Sequence, residues 1–247
     1  MVWATGDTHG SFTRFEEQYF PEQREMDRDD YVIICGDFGG VWSGGQEDAE
    51  KLDWLEDRPF TTLFVDGNHE NFDLLNALLV QEWHGGKVHC IRPHVLHLMR
   101  GQFFDIGGRT FFTMGGAASH DIQDGILDPA DPGFRETYWS MRRLRRRFRV
   151  KGLSWWPEEM PTDEEYTAAL EVLERASWKV DYVITHCAPT RIAQKVSTGY
   201  RPDVLTDFLE MVRRRLDFRY WLFGHYHDNR YVTREHILLW EQIVQVI

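Results

Sequence analysis

Short apolar runs that end in polar motifs recur along this chain of 247 residues. They have the length of strands and little strict alternation of polar and apolar positions, which is typical of buried strands. The predicted strands are VWAT at 2–5, YVIIC at 31–35, TTLFVD at 61–66, DYVIT at 181–185 and YWLFG at 220–224. Helices are predicted between them, around 12–25, 46–57, 72–80, 163–177 and 203–216. This order indicates repeated units of a strand followed by a helix.

A second group of strands is predicted at 88–91, 95–99, 102–106, 110–114, 230–233 and 237–246. Gly107-Gly108 has the composition of a hairpin turn between two of them. An apolar content of 42% is ample for a substantial core. We therefore expect an α/β fold with two sheets, formed by a single domain over residues 1–247.

Four of the five predicted buried strands end in glycines combined with acids or histidines, and the fifth, at 181–185, is followed by His186. The motifs are GDTHG at 6–10, GDFGG at 36–40, GNHE at 67–70, Thr185-His186 and GHYH at 224–227. Open α/β sheets bind ligands beyond the carboxyl ends of their strands, where loops from distant parts of a sequence converge. Carboxylate, amide and imidazole groups suit Mn, Fe, Zn, Ni or Co, whereas a thiolate site is not indicated. The motifs thus predict a metal site.

The ordered series of motifs resembles the calcineurin-like metallophosphoesterases, and in particular a small bacterial and phage-type branch. That superfamily carries Asp-x-His, Gly-Asp, Gly-Asn-His-Asp/Glu, a distal His and Gly-His-x-His in this order. The resemblance implies an αββα sandwich of two sheets and two divalent metal ions. It implies one ion held by Asp7, His9 and His227, the other held by Asn68, His186 and His225, and Asp37 as the bridge between them.

The resemblance also implies a reaction. A dinuclear phosphoesterase hydrolyses a phosphomonoester or phosphodiester by means of a metal-activated bridging hydroxide. His69 matches the family histidine that lies outside the metal shell and assists the leaving group, so His69 and Asp37 are the predicted catalytic residues. A role for His69 in orienting a metal ligand is the alternative. The expected substrate is a small molecule or a nucleotide.

One difference between this chain and members of the superfamily narrows the predicted class of phosphoesterase. Protein Ser/Thr phosphatases of this type carry an Asp-Arg pair three and four residues after the bridging aspartate, where this chain has Gly40 and Val41. This difference disfavours a protein phosphatase, and it leaves the orienting partner of His69 open. Glu70 is one candidate for that partner.

The stretch 115–162 combines GGA with SWWPEE, and an insertion at about 118–162 is expected to cap the site. Trp155, Trp156 and Glu158 are candidate substrate contacts, because tryptophan faces stack on aromatic groups. Alternatively, the tryptophans anchor the loop in the core. His120 and Asp121 are interpreted as a surface loop pair rather than a third metal site.

Charge bears on the choice of partner. A formal net charge of −12 argues against broad nucleic-acid binding, although a nuclease of the same fold remains an alternative. The basic run RRLRRRFR at 142–149 is interpreted mainly as an amphipathic helix with Met141, Leu144 and Phe148 as its apolar stripe. The alternative is an anion-gathering rim beside a phosphate site. A noncatalytic scaffold is a third functional class, disfavoured because all the motif residues are present.

The remaining features concern location and redox state. No apolar run reaches the roughly 18 residues of a membrane span, and the N-terminus lacks the pattern of a secretory signal. We therefore expect a cytoplasmic protein without a membrane partner. The three cysteines do not form a disulfide framework or a paired-cysteine zinc motif. The oligomeric state is left open.

Overall fold

Two β-sheets form the centre of the computed structural model, which describes residues 1–247. The strands of the first sheet are β1 (Val2–Thr5), β2 (Tyr31–Ile34), β3 (Thr61–Phe64), β4 (Val80–Trp83), β5 (Gly86–Arg92), β6 (Val95–Leu98) and β15 (Val244–Gln245). Their spatial order is β15-β1-β2-β3-β6-β5-β4. β1, β2, β3 and β6 run parallel, while β15, β5 and β4 pair antiparallel with their neighbours.

The second sheet has six strands. They are β7 (Gln102–Ile106), β8 (Arg109–Met114), β11 (Tyr182–Thr185), β12 (Tyr220–Phe223), β13 (Arg230–Tyr231) and β14 (His236–Leu238). Their order is β13-β14-β12-β11-β8-β7, with β8, β11, β12 and β14 parallel. A separate pair of short parallel strands consists of β9 (Ile126–Leu127) and β10 (Arg149–Val150).

Six α-helices connect these strands. They are α1 (Gln46–Glu56), α2 (Phe72–Leu75), α3 (Phe134–Arg143), α4 (Asp163–Arg175), α5 (Thr190–Val196) and α6 (Val204–Arg215). Three short 3-10 helices cover Thr13–Phe15, Pro21–Glu25 and Pro157–Glu159. None of the helices combines the length and the apolar character needed to cross a membrane.

Apolar side chains on both faces of the strands hold the layers together. On β2, Tyr31 and Ile33 pack between the sheets, while Val32 and Ile34 pack against the outer layer of helices. This division follows from the alternation of side chains along a strand. Val183 and Trp221 of the second sheet face the other outer layer, which contains α4, α5 and α6. The result is the expected αββα sandwich.

Most predicted elements are confirmed, including the five motif-bearing strands and the turn at Gly107-Gly108, whose φ values are +60° and +71°. The single helix predicted at 12–25 is wrong, because that stretch forms two 3-10 helices, the second starting at Pro21. The helix predicted at 72–80 is too long, since α2 ends at Leu75 and β4 starts at Val80. The strand predicted at 237–246 is two strands, β14 and β15.

The basic run does not form the predicted amphipathic helix. α3 ends at Arg143, and Leu144, assigned to the apolar stripe, is exposed. The helix stops in a Schellman motif: Arg145 adopts φ +52°, and the amide of Arg146 donates to the carbonyl of Met141. The chain then turns into β10. Arg149, at the start of that strand, is therefore separated from the helix.

Candidate metal centre

The predicted ligands follow strands of both sheets. Asp7, Asp37 and Asn68 come after the carboxyl ends of β1, β2 and β3 in the first sheet. His186 and His225 come after β11 and β12 in the second. Because the strands of each set are parallel, their carboxyl ends lie at one edge of the sandwich.

One group of potential ligand atoms comes from Asp7, His9 and His227. His227 Nε2 lies 3.1 Å from Asp7 Oδ2 and 3.2 Å from His9 Nε2. His9 Nε2 is 3.8 Å from Asp37 Oδ2. Asp7 is buried, whereas both histidines are exposed. The group thus opens to solvent on its histidine side.

A second group surrounds His186, which is fully buried. Its Nδ1 donates to the carbonyl of Cys35 at 2.8 Å, which leaves Nε2 as the free ring nitrogen. That Nε2 lies 3.3 Å from Asp37 Oδ1 and 3.3 Å from His225 Nδ1. Asp7 Oδ1 also lies 3.9 Å from His186, but it faces Nδ1, the nitrogen already engaged. His186 therefore presents its free nitrogen to Asp37 and His225.

Asn68 supplies a free oxygen to this edge of the site. The Oδ1 atom of Asn68 is buried and has no hydrogen-bond partner in the protein. Its Nδ2 donates to Ser119 Oγ at 3.4 Å, and Ser119 Oγ donates in turn to Glu159 Oε2 at 2.5 Å. This chain of hydrogen bonds fixes the direction of the amide. A buried polar atom without a partner carries a large free-energy cost, which a bound cation would remove.

The two groups of ligand atoms suit the binding of divalent cations. Adjacent ligands of an ion with bonds of 2.0–2.1 Å stand about 3 Å apart in octahedral geometry. Four spacings between the nitrogen and oxygen atoms of the two groups are 3.1 to 3.3 Å, while His9 Nε2 lies 3.8 Å from Asp37 Oδ2. Their donor set contains carboxylate, amide and imidazole groups and no thiolate.

The sequence profile of the calcineurin-like phosphoesterase family matches residues 1–229. The chain belongs to this family. The match includes all five motifs that end at His227, and it indicates a hydrolase that acts on phosphoester bonds. The family typically binds divalent metals, in agreement with the groups of ligand atoms described above. No curated protein shows significant sequence similarity to the chain.

Several positions of this phosphoesterase site adopt strained backbone conformations. His9, Asp37, His225 and His227 all have positive φ values, between +47° and +69°. Such conformations are uncommon outside glycine and cluster at functional sites. Their presence at four of the seven predicted metal ligands indicates that the fold aims these side chains at some energetic cost.

Two glycines let the strand ends approach the carboxylates. A Cβ atom at Gly67 would lie 2.0 Å from Asp37 Oδ1, and one at Gly224 would lie 2.1 Å from Asp7 Oδ1. Real Cβ atoms do not come this close to other heavy atoms. Any side chain at either position would displace a carboxylate.

The two aspartates create a strongly cation-attracting position. Burial would raise the pKa of Asp37, but His186 outweighs this effect, and the pKa of the carboxyl is held well below its usual range. Burial would lower the pKa of His186, but Asp37 and Asp7 raise it to about 10. Burial dominates at His225 and lowers its pKa well below its ordinary value, which favours the neutral, metal-binding form.

His69 lies beside the first group, with its ring centroid 5.3 Å from that of His9. Its backbone amide donates to Asp37 Oδ1 at 2.8 Å, while its side chain makes no contact with Asp37 short enough for a hydrogen bond. Burial lowers the pKa of His69, and the charge of Asp37 opposes that shift. The imidazole is therefore held next to the metal groups without belonging to either one.

Glu70 does not orient His69, so that candidate is wrong. Its buried carboxylate accepts hydrogen bonds from the backbone amides of Phe38 at 2.7 Å and Gly39 at 3.3 Å. Burial raises the pKa of Glu70 to about 8, with a further contribution from Asp37. Glu70 instead supports the loop that follows Asp37.

His120 is exposed and Asp121 is half-buried in a loop, in agreement with their interpretation as a surface loop pair, and this loop borders the site. His120 Nε2 lies 2.7 Å from His225 Nε2, on the side of the ring opposite His186. Asp121 pairs with Arg149, and Nη2 of Arg149 approaches His69 Nε2 at 3.5 Å. No sequence motif indicates these contacts, since residues 120, 121 and 149 are distant from the five metal motifs.

The three candidate substrate contacts, Trp155, Trp156 and Glu158, differ in how far they are buried. Trp156 is only 3% exposed, and its Nε1 donates to Asp73 at 2.7 Å, so it anchors the loop as the alternative interpretation proposed. Trp155 is half-buried, and Glu158 is exposed with its carbonyl bound to Arg100. The tryptophan that faces the site is Trp42, whose ring packs edge-on against Trp156 with centroids 5.7 Å apart.

Open cavities adjoin the site on two sides. One, of about 310 Å³, is lined by His9, Trp42, Lys51 and His69 among others. The other, of about 740 Å³, is lined by residues that include His120, Tyr200 and His225. A substrate could therefore approach the predicted metal ligands from either of these two cavities.

Proposed function

We propose that this calcineurin-like phosphoesterase is a dinuclear metal-dependent enzyme that hydrolyses a phosphomonoester or phosphodiester of a small molecule or nucleotide. In this proposal Asp7, His9 and His227 hold one ion, and Asn68, His186 and His225 hold the other. Asp37 bridges them. The ions are drawn from Mn, Fe, Ni, Zn and Co, which suit this set of oxygen and nitrogen ligands.

The orientation of Asp37 is the observation that carries the proposal. Its Oδ2 faces His9 of the first group at 3.8 Å, and its Oδ1 faces His186 of the second at 3.3 Å. One carboxylate therefore presents a different oxygen to each group. This is the arrangement expected of a bridging ligand.

Two divalent ions in these groups would polarise the phosphoryl oxygens and stabilise the charge that develops during in-line displacement. The chain supplies the remaining functions. His69 would donate a proton to the leaving-group oxygen, and the hydrogen bond from its backbone amide to Asp37 holds the residue in place. The hydrogen-bond chain from Asn68 Nδ2 through Ser119 to Glu159 would leave Asn68 Oδ1 available as a metal ligand.

We also propose that the whole chain is one domain and that residues 118–162 cap the active site. The cap touches the site at two points: His120 contacts His225, and Arg149 approaches His69. Its two ends are held together where the backbone amide of Ser119 donates to Glu159 Oε1 at 2.9 Å. The cap would limit access of bulky substrates, which favours small phosphoesters.

Metal analysis combined with hydrolysis assays tests this function. The purified protein is loaded with Mn, Ni or Zn, and its metal content is measured together with hydrolysis of p-nitrophenyl phosphate and bis-p-nitrophenyl phosphate. About two ions per chain and metal-dependent turnover are expected, and the ratio of the two rates separates monoesterase from diesterase activity. A single-stranded oligonucleotide in the same assay tests the nuclease alternative. Bound metal without turnover of any of these substrates would contradict the proposal.

A further inference from the structure

A phosphoester that reaches His69 meets no arginine from the loop after Asp37. Gly40 and Val41 stand there, and a Cβ atom at Gly40 would lie 2.5 Å from the ring of Phe38. The position of the arginine is taken by the apolar Val41, and the packing at Gly40 leaves no room for a side chain beside it. A cationic group for the substrate must come from another part of the chain.

Arg149 reaches the same place from the cap. Its side chain is 21% exposed, and its Nη2 lies 3.5 Å from His69 Nε2. Nε and Nη2 both approach Asp121 Oδ2, at 2.8 Å and 2.5 Å. The carboxylate holds one edge of the guanidinium, so the plane of the group is fixed beside His69.

The backbone around Arg149 is also fixed. Arg149 pairs with Ile126 in the β9–β10 sheet, and its amide donates to the carbonyl of Gly125. The next residue, Val150, is buried, and its amide donates to Ser154 Oγ at 2.9 Å. A residue placed by strand pairing aims its side chain more firmly than one in an open loop.

The guanidinium retains unused donors. An arginine side chain carries five N–H groups, and those that point to Asp121 and His69 belong to Nε and Nη2. Nη1 makes no hydrogen bond within the protein, so both of its N–H groups are free. A planar pair of donors next to a catalytic imidazole suits the oxygens of a phosphoryl group.

The other arginines of the run are directed elsewhere. Arg146 pairs with Asp124 at 3.4 Å, and Arg142 lies over the ring of Tyr138. Arg147 is exposed, and only its backbone is bound, to Asp124. Within the run, Arg149 is the arginine whose side chain contacts a predicted catalytic residue.

We infer that Arg149 binds a non-bridging oxygen of the substrate phosphoryl group, and that Asp121 is the positioning residue that holds it there. This inference rests on the proposed phosphoesterase function. It assigns phosphate recognition to a residue of the cap, Arg149, which is far along the sequence from every metal motif.

Substitution of Arg149 tests the inference. Arg149→Ala should lower kcat/KM for p-nitrophenyl phosphate by about 10- to 100-fold, the effect of losing a charged hydrogen bond. The dissociation constant of inorganic phosphate, measured by calorimetry on the metal-loaded protein, should rise about tenfold. For Arg149→Lys, both kcat/KM and the phosphate dissociation constant should lie between those of the wild type and Arg149→Ala. An ammonium group keeps the positive charge but lacks the paired, coplanar N–H donors of a guanidinium. Added guanidinium should restore part of the activity of Arg149→Ala.

Arg147→Ala is the matched control, because it removes the same charge two residues away and should change none of these values. Asp121→Asn should weaken phosphate binding less than Arg149→Ala and should not respond to guanidinium. Equal phosphate affinity in Arg149→Ala and Arg147→Ala would overturn the inference. If Arg149→Ala does not fold, the phosphate affinity of Arg149→Lys decides the question by the same comparison.

The calorimetric measurement separates this inference from the proposed function. Phosphate binding requires no turnover, so an inactive wild-type protein would refute the phosphoesterase proposal while the role of Arg149 is still measured. An active enzyme whose phosphate affinity is insensitive to Arg149 would refute the inference alone.

Discussion

At the scale of single residues, Asp37 connects the two halves of the site. It is 1% exposed, its backbone adopts φ +47°, and its carboxylate oxygens face different histidines. The backbone of His69 is bound to the same side chain. A change at Asp37 therefore reaches the candidate ligands of both ions and the predicted catalytic histidine together.

We expect Asp37→Asn to abolish phosphoesterase activity and to weaken binding of at least one ion sharply. The amide has the size of the carboxylate, but it loses the negative charge and one of the two oxygens that a bridge requires. Metal content and p-nitrophenyl phosphate hydrolysis measure the effect. Asp105→Asn is the matched control, because Asp105 is an exposed strand residue. Full activity with two bound ions in Asp37→Asn would remove the bridging assignment.

His69→Ala should give a different result from Asp37→Asn. Metal content should stay near that of the wild type, while kcat falls by about 10²- to 10⁴-fold, the usual value of general acid–base assistance. His94→Ala serves as the control, since His94 precedes β6 at the opposite end of the parallel strands. A His69→Ala protein that had lost its metal would show that His69 is a ligand rather than an acid.

At the scale of elements, the turns after the strands determine the site. Each turn must bring a side chain inward over a very short distance, and glycine makes this possible where any Cβ atom would meet a carboxylate. Gly67 is the tightest of these positions, at 2.0 Å from Asp37 Oδ1 and 2.5 Å from the amide of Asp37.

Gly67→Ala should therefore displace Asp37 and lower metal content, and it should cost about 1–3 kcal/mol of stability through overpacking. Gly199→Ala is the control, because a Cβ atom there meets nothing within 4 Å. That substitution should leave metal content unchanged and be neutral or stabilising by up to about 1 kcal/mol. Chemical denaturation of the metal-free proteins measures the stability. Equal metal content in both variants would contradict the close-approach argument.

The sequence alone was sufficient to predict those strands whose apolar residues and terminating motifs are adjacent in the chain. The strands ending at Thr5, Ile34 and Phe64 were predictable because apolar runs stop at glycine-rich motifs. The pairing of Arg149 with Asp121 and the contact of His120 with His225 were not predictable, because they depend on how the cap folds back over the site. The end of α3 also escaped prediction, since Arg145 takes a conformation that usually marks glycine.

At the scale of the whole molecule, a chain of buried polar groups connects β5, β6 and the segment after β3. His89 Nδ1 is 2.9 Å from His97 Nδ1, and His97 Nε2 is 3.1 Å from Asp66 Oδ1. Arg100 completes the chain by donating through Nε to Asp66 Oδ2 at 2.9 Å. If His97 donates from Nε2 to Asp66, its Nδ1 accepts from His89, so a neutral His89 with a proton on Nδ1 satisfies every contact.

This chain leads to a pH dependence of stability. Burial and the neighbouring His97 lower the pKa of His89 from 6.5 to about 4 in the folded protein. Between these two values the unfolded chain binds more protons at this residue than the folded protein does. The free energy of unfolding should therefore fall as the pH falls from about 6.5 to about 4.

His89→Asn should reduce this loss, because asparagine stays neutral while its amide still donates to His97. The difference between the two proteins over the window should reach at most about 3 kcal/mol, the equivalent of the shift in pKa. Urea denaturation in the presence of a chelator, at several pH values, measures it without interference from metal release. His84→Asn, at an exposed turn with φ +47° that asparagine tolerates, should keep the pH dependence of the wild type. Parallel curves for His89→Asn and the wild type would show that the buried chain accepts a proton elsewhere.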